Sequence, residues 1–303
     1  MEILNEYIEY IKSIRKLSEN TIGSYFIDIK KYLKYIENKK INLFQSTEND
    51  IIGYIIELEK NDISTATISR SISSIKSFYE FLFLNRYIEN NVHKNIKKPK
   101  VEKREIDVLS LKEIEALLNF PKLTNKKDIR DKAIFEILYG TGIKVSELIN
   151  LDLDDINLEF DYICCKSGKN PRVIPISITT KNYLEIYLNK TRDELLKHDI
   201  KEKALFINSK GTRFTRQGLW KLIKKQAKRA NINKNINPTI LRNSFAYHIL
   251  NQGANAIVVS KILGNSNLSS LQYYLNCIDK NIRQEIRDKH PRKWYILGGK
   301  IYE

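Results

Sequence analysis

The run Lys94-Asn95-Ile96-Lys97-Lys98-Pro99-Lys100-Val101-Glu102-Lys103-Arg104 interrupts the hydrophobic rhythm of this chain and does most to limit how it can fold. It is strongly basic, has no apolar period to bury, and contains a Pro that cannot donate a backbone hydrogen bond. It reads as an extended basic linker over 94–107. The chain then divides into a domain at 1–93, the linker, a second domain at 108–290 and a tail at 291–303. Two domains also suit a length of 303 residues, since single cores rarely keep growing to that size.

Before the linker the pattern is helical. Ile8, Ile11 and Ile14, and then Tyr25, Ile29, Tyr32, Leu33 and Ile36, recur at helical spacing. Ser18-Glu19-Asn20-Thr21 supplies a helix start. Glu48 to Leu58 predicts a further helix through Ile51, Ile52, Ile55 and Ile56. Ser64 to Phe83 carries two more apolar faces, with Ile72, Ile75, Phe78, Tyr79 and Leu82. A pattern like this specifies a bundle core and is silent on function.

After the linker, Ser110 and Glu113 stand at capping-box spacing ahead of Leu111 to Leu118. Ile129 to Tyr139 predicts a buried helix. Asp161 to Cys165 and Arg172 to Ile176 alternate as strands around Ser167-Gly168-Lys169-Asn170-Pro171, a turn, which together predict a hairpin. The rest reads as mostly helical apart from Leu205-Phe206-Ile207. Trp294 to Glu303 takes no assigned structure.

The chain holds 52 Lys and Arg against 36 Asp and Glu, a net charge of +16, which favours a polyanionic partner. The same excess also arises as a solubilising surface in a Lys-, Asn- and Ile-rich chain. Three Cys, two of them adjacent (Cys164 and Cys165), make neither a disulfide framework nor a zinc spacing and fit a reducing cytoplasm. The acidic start Met1-Glu2-Ile3-Leu4-Asn5-Glu6 lacks a signal-peptide pattern. No apolar run reaches membrane-spanning length. There is no P-loop, dinucleotide fingerprint or metal-ligand cluster.

Three blocks then stand in order: Gly140-Thr141-Gly142-Ile143-Lys144-Val145-Ser146-Glu147-Leu148; Arg213-Phe214-Thr215-Arg216-Gln217-Gly218-Leu219-Trp220; and Leu241-Arg242-Asn243-Ser244-Phe245-Ala246-Tyr247-His248, followed by Lys261-Ile262-Leu263-Gly264-Asn265 and Gln272-Tyr273-Tyr274. In this order they resemble the tyrosine recombinase (phage integrase) family, as do Leu17 to Tyr25 and Ile72 to Tyr79 near the start. The resemblance covers nearly the whole chain. It implies a mainly α fold: a helical core-binding, SAM-like N-terminal domain and an α-rich α+β catalytic domain with a small antiparallel sheet.

It also implies a chemistry. In the family a Tyr oxygen attacks a DNA phosphodiester, giving a 3′-phosphotyrosyl bond and a free 5′-hydroxyl, with no metal or cofactor. Tyr274 falls on the nucleophile slot and Arg242 on the second Arg slot. Lys144 replaces the first Arg, keeping charge but losing the planar fork. Ser167 stands where the family has a Lys, with Lys166 and Lys169 beside it; Lys169 is the preferred candidate. Thr239 and Asn265 replace two His-type groups, and neither titrates near neutral pH, so general acid–base help worth 10² to 10⁴ is lost. His248 falls outside the active site, and His93, His198 and His290 match no catalytic slot. Lys30, Lys31, Arg70, Lys76, Lys98, Lys100, Arg172, Arg213 and Arg216 are candidates for DNA contact, where phosphate contacts position the protein without reading sequence.

Three functions fit. The first is an atypical strand nicking and rejoining enzyme on double-stranded DNA, relaxase-like or recombinase-like, associated with a plasmid, conjugation or a mobile element. The second is a conventional site-specific recombinase or integrase. The third is a catalytically inactive DNA-binding accessory factor. Assembly of several copies on DNA stays open.

Overall fold

The computed structural model describes residues 2–90, 96–99, 106–119, 125–166, 171–196 and 202–264. It separates into two compact units, Met1–Arg104 and Glu105–Glu303. The described residues are mostly helical, with one small antiparallel sheet. None of their helices is long and apolar enough to cross a membrane.

The first unit is a helical bundle of α1 (Glu2–Ser13), α2 (Glu19–Asn38), α3 (Glu48–Lys60) and α4 (Thr65–Leu84), with a short 3₁₀ turn at Leu43–Gln45. Side chains fix the helix starts. Ser18 accepts a hydrogen bond from the Thr21 amide and Ser64 from the Thr67 amide, which satisfies donors that a helix start leaves open. α4 is the centre, packed by α1, α2 and α3. Ile68, Ile72, Ile75, Phe78, Tyr79 and Leu82 along it are buried. Buried hydroxyls pair with one another: Tyr32 with Tyr79 at 2.7 Å and Tyr79 with Ser46 at 2.5 Å.

Two details depart from the periodicity. Ile14 is 70% exposed because α1 ends at Ser13. Ile52 and Ile56 also face outward, at 38% and 45%, since α3 carries two apolar stripes and turns Ile51 and Tyr54 to the core. Within the basic run, Ile96 is buried in the core of the first unit and Ile106 packs on a small cluster in the second. The run is therefore tied to a core near each end.

The second unit contains α5 (Leu111–Leu118), α6 (Lys126–Thr141), α7 (Val145–Asn150), β1 (Ile156–Asn157), β2 (Tyr162–Cys165), β3 (Arg172–Pro175) and α8 (Ile178–Tyr187). α8 widens into a π turn at Leu188–Arg192 and continues as α9 (Asp193–Leu195), before α10 (Arg216–Arg229), α11 (Pro238–Asn251) and α12 (Ala256–Leu263). Ser110 and Glu113 form the expected reciprocal cap of α5. α6 is the central helix, touching α5, α8 and α11, with Ala133 to Leu138 all buried. The sheet runs β1-β2-β3, all antiparallel, with Ile163 opposite Ile174 and Cys165 opposite Arg172. Burial pushes the Cys165 thiol up to about 11. Leu205 to Ile207 forms no strand; isolated bridges join Ala204 to Asp152 and Ile207 to Arg213. The Arg192 guanidinium donates to the carbonyls of Glu202, Ala204 and Leu205 and satisfies them instead.

The α4 stripe sets the stability of the first unit. Phe78, fully buried, packs edge-on to Tyr7 with centroids 5.1 Å apart. Phe78→Ala should lower the unfolding free energy by about 3–5 kcal/mol, read from urea denaturation.

Candidate functional site

Where α6 ends, Gly142 takes φ of 60°, the left-handed conformation that closes many helices. A Cβ there would come within 2.5 Å of Phe245 and 2.8 Å of Leu263, so space as well as φ requires glycine. The Gly142 carbonyl receives Arg242 Nη1 at 2.7 Å, and Nη2 donates to the Leu263 carbonyl at 2.6 Å. Arg242 is half-buried on α11, whose start is set by Asn237 capping the Ile240 amide and by Pro238 in the first turn. Thr239 lies one turn before Arg242 and is exposed, so the two share a helix face.

Lys144 follows Gly142 by two residues and begins α7. Its backbone N–H donates to the Glu147 carboxylate at 2.9 Å, and its Nζ lies 3.9 Å from the same group. Partial burial holds the Lys144 pKa below its usual 10.5, and the neighbouring positive charges of Arg242 and Arg172 add to this against the pull of Glu147. The structure thus places Lys144 within electrostatic reach of Arg242.

Glu147 was not anticipated. Its side chain is only 6% exposed and accepts from Arg172 at 2.8 and 2.9 Å, a bidentate pair. Burial alone would raise its pKa; the Arg172 hydrogen bonds and the Lys144 amide outweigh that and hold it below the usual carboxylate range. The one local signal was the acidic residue three positions after Lys144, a capping-box spacing. Its partner Arg172 lies 25 residues away.

The other expected contacts are distributed unevenly. Lys30 and Lys31 are exposed on α2, and Arg70 on α4 forks onto buried Asp28 with both distances 2.9 Å. Burial raises the Asp28 pKa, against the lowering pull of Arg70 and Lys31. Lys76 is half-buried and Lys98 exposed. Arg172 and Arg213 are held internally: Arg172 by Glu147 and the Ile262 carbonyl, Arg213 by Asp152 and the carbonyls of Ile149 and Leu151. Arg216 is exposed at the start of α10. Beyond it, Lys221, Lys224, Lys225, Lys228 and Arg229 continue a basic outer face, with no acidic residue in the helix. Lys224 lies 4.2 Å over the Trp220 ring. Counting charges along Arg216 to Arg229 would have revealed that face. Lys166 is tied to Asp155 at 2.7 Å. Lys100, Lys169, Asn265 and Tyr274 lie outside the described residues, as do His93, His198 and His290.

Chemically, Lys144 and Arg242 place an ammonium within electrostatic reach of a guanidinium, with the nearby carboxylate paired to Arg172. Such a cluster suits a multiply charged anion. Among the described residues no group of three or more His, Cys, Asp or Glu side chains is set to hold a metal ion.

Known proteins with related sequences and folds share this arrangement of segments. The profile of the phage integrase family matches residues 107–280, and that of the phage integrase N-terminal SAM-like domain matches 4–85. Tyrosine recombinase XerD of Oceanobacillus iheyensis is 38% identical over 292 residues, covering 95% of this chain and 98% of that protein. XerD of Staphylococcus haemolyticus is 40% identical over 295 residues, covering 96% and 99%. Among solved structures, the XerH site-specific recombinase bound to a palindromic difH substrate, a post-cleavage complex, superposes with a TM-score of 0.75 at 21% identity, covering 93% of this chain and 83% of that one. The Tn1549 transposon integrase in complex with a circular intermediate DNA gives 0.72 at 19%, covering 90% and 94%.

His248 stands apart from the cationic cluster. It is buried on α11, with Nδ1 3.0 Å from the Tyr139 hydroxyl. Burial lowers its pKa from the usual 6.5, opposed in part by a hydrogen bond with the Leu109 backbone. The unfolded chain therefore takes up this proton first as pH falls below about 6.5, and stability is lost from there downward until the folded imidazole also protonates. The melting temperature should fall between pH 7 and pH 5.5, and His248→Gln should fall less over the same range.

Proposed function

Because this chain belongs to the phage integrase family of tyrosine recombinases, we propose that it cleaves and rejoins duplex DNA at a defined site through Tyr274. The proximity of Lys144 to Arg242, beside a Glu147 carboxylate already paired with Arg172, carries the reading. In this scheme the Tyr274 phenol oxygen attacks phosphorus, the bond to the 5′ oxygen breaks, and the phenol proton passes to solvent water. Lys169, which the sequence places between β2 and β3, supplies the proton that the departing 5′-hydroxyl needs. Arg242 and Lys144 balance charge on the non-bridging oxygens of the phosphorane. The basic outer face of α10, with Lys30, Lys31 and Arg70 of the first unit, supplies phosphate contacts and a steep salt dependence.

The departures from the family set the rate. A phenol with a pKa near 10 needs help to ionise, and neither Thr239 nor Asn265 titrates near neutrality. Lys144 supplies charge without the two-pronged geometry of an arginine. We infer slow strand transfer, suited to a rare event. Relatives named as recombinases match almost end to end, which favours recombination over a nick-only, relaxase-like role or a catalytically silent accessory role.

Covalent adducts test this directly. The full-length protein is expressed, trapped with strong detergent, and the attached DNA ends are sequenced. One recurrent site is expected. Tyr274→Phe should abolish the adduct and leave affinity within about twofold, since a phenol oxygen adds little to phosphate-dominated binding. Persistence of the adduct in that variant would overturn the assignment. Lys144→Arg should raise single-turnover cleavage of a nicked duplex carrying the mapped site by about 10-fold, part of the 10² to 10³ that an oxyanion donor contributes. An unchanged or lower rate would show that Lys144 does not act on the phosphorane.

A further inference from the structure

One guanidinium joins the three segments that bear the chemistry. Arg172 opens β3, three residues after Lys169 in the sequence. Its Nη1 and Nη2 grip Glu147 at 2.8 and 2.9 Å. Glu147 in turn accepts from the Lys144 backbone N–H at 2.9 Å. The remaining nitrogen, Nε, donates to the Ile262 carbonyl at 2.5 Å. All three nitrogens are thus engaged inside the protein, and the side chain is 9% exposed.

The far end of this strut is tightly fitted. α12 closes at Gly264 with φ of 63°, and a Cβ there would lie 2.6 Å from Arg172 Nη1 and 2.8 Å from Cζ. The next carbonyl, Leu263, is taken by Arg242. Two arginines from different elements therefore hold consecutive carbonyls at the last turn of α12. Gly264 is the residue from which the chain proceeds to Asn265 and Tyr274.

We propose that Arg172 is a positioning residue for strand cleavage: it fixes the start of α7, the start of β3 and the last turn of α12 in one register, and makes no contact with DNA itself. This rests on the reading that Tyr274 cleaves DNA. A planar, three-pronged donor is required because the acceptors lie in two directions. An ammonium at the same place has the charge but lacks the planar fork.

The test uses the full chain and, as probe, a nicked duplex carrying the site mapped from wild-type adducts, or one the wild-type protein selects from a random-sequence pool. Three variants are compared with wild type: Arg172→Lys, Arg172→Met, and Arg172→Met with Glu147→Gln. The double variant avoids leaving a buried carboxylate unpaired, which could unfold the single one. Affinity for the duplex should stay within about twofold, with an unchanged salt slope. Adduct formation should fall by about 10² in the double variant, the scale expected when reacting groups are misplaced by an ångström, and Arg172→Lys should recover part of it. Amide hydrogen exchange at Lys261 to Gly264 should speed up in the free protein. A normal adduct rate with unchanged exchange would overturn the proposal. So would weakened binding with a salt slope reduced by about one, the mark of a lost phosphate contact. If wild type forms no adduct on any duplex, the functional reading fails by itself, and exchange at Lys261 to Gly264 alone decides whether Arg172 holds the α12 exit.

Discussion

A carboxylate taken out of water must be compensated where it sits, and the second unit is organised around one such group. Glu147 is almost fully buried yet charged, because Arg172 meets it with two parallel hydrogen bonds and the start of α7 adds a third. Removing either partner leaves a stranded charge, so the pair behaves as a unit. Its consequences reach outward. The Lys144 backbone is held at the start of α7, β3 is held at its first residue, and the last turn of α12 is held through Ile262. Arg242 completes the frame from the opposite side by joining Gly142 to Leu263. The cluster that suits a phosphate is framed by backbone carbonyls and one ion pair.

Two of the left-handed glycines, Gly142 and Gly264, belong to the same frame. Gly142 leaves room for Phe245 and Leu263, and Gly264 leaves room for the Arg172 guanidinium. Each ends a helix and each sits where another element must come close. The helices could have stopped with other residues; the approach of the neighbouring element is what excludes a side chain.

Local rules were legible in the amino-acid sequence and long-range ones were not. Ser18, Ser64, and Ser110 with Glu113 mark helix starts because a cap is decided within four residues. The β2–β3 hairpin is likewise local. Periodicity identified α3 but not which of its stripes faces inward: Ile51 is buried while Ile52 and Ile56 are exposed, a choice made by α4. The two-residue β1 is too short to leave a pattern. At the candidate site, Arg242 and Lys144 were visible as members of contiguous blocks of sequence, whereas Glu147 was hidden because its partner comes from a strand 25 residues on. Arg172 was expected to contact DNA for the same reason: a basic residue looks solvent-directed until its buried carboxylate partner is found.

The outer face of α10 has a cost for the protein as well as a use. Its cations repeat at a spacing of four residues, from Lys221 to Lys225 to Arg229 and from Lys224 to Lys228. Like charges so placed repel by a few tenths of a kcal/mol per pair. Arg229 finds Asp128 and Lys224 rests on Trp220, and the charges near the helix C-terminus suit its dipole. The remainder is left to mobile counterions. Dissolved salt therefore acts on this helix in two opposed ways: the ions that loosen its grip on a polyanion also relieve the strain it carries when none is bound.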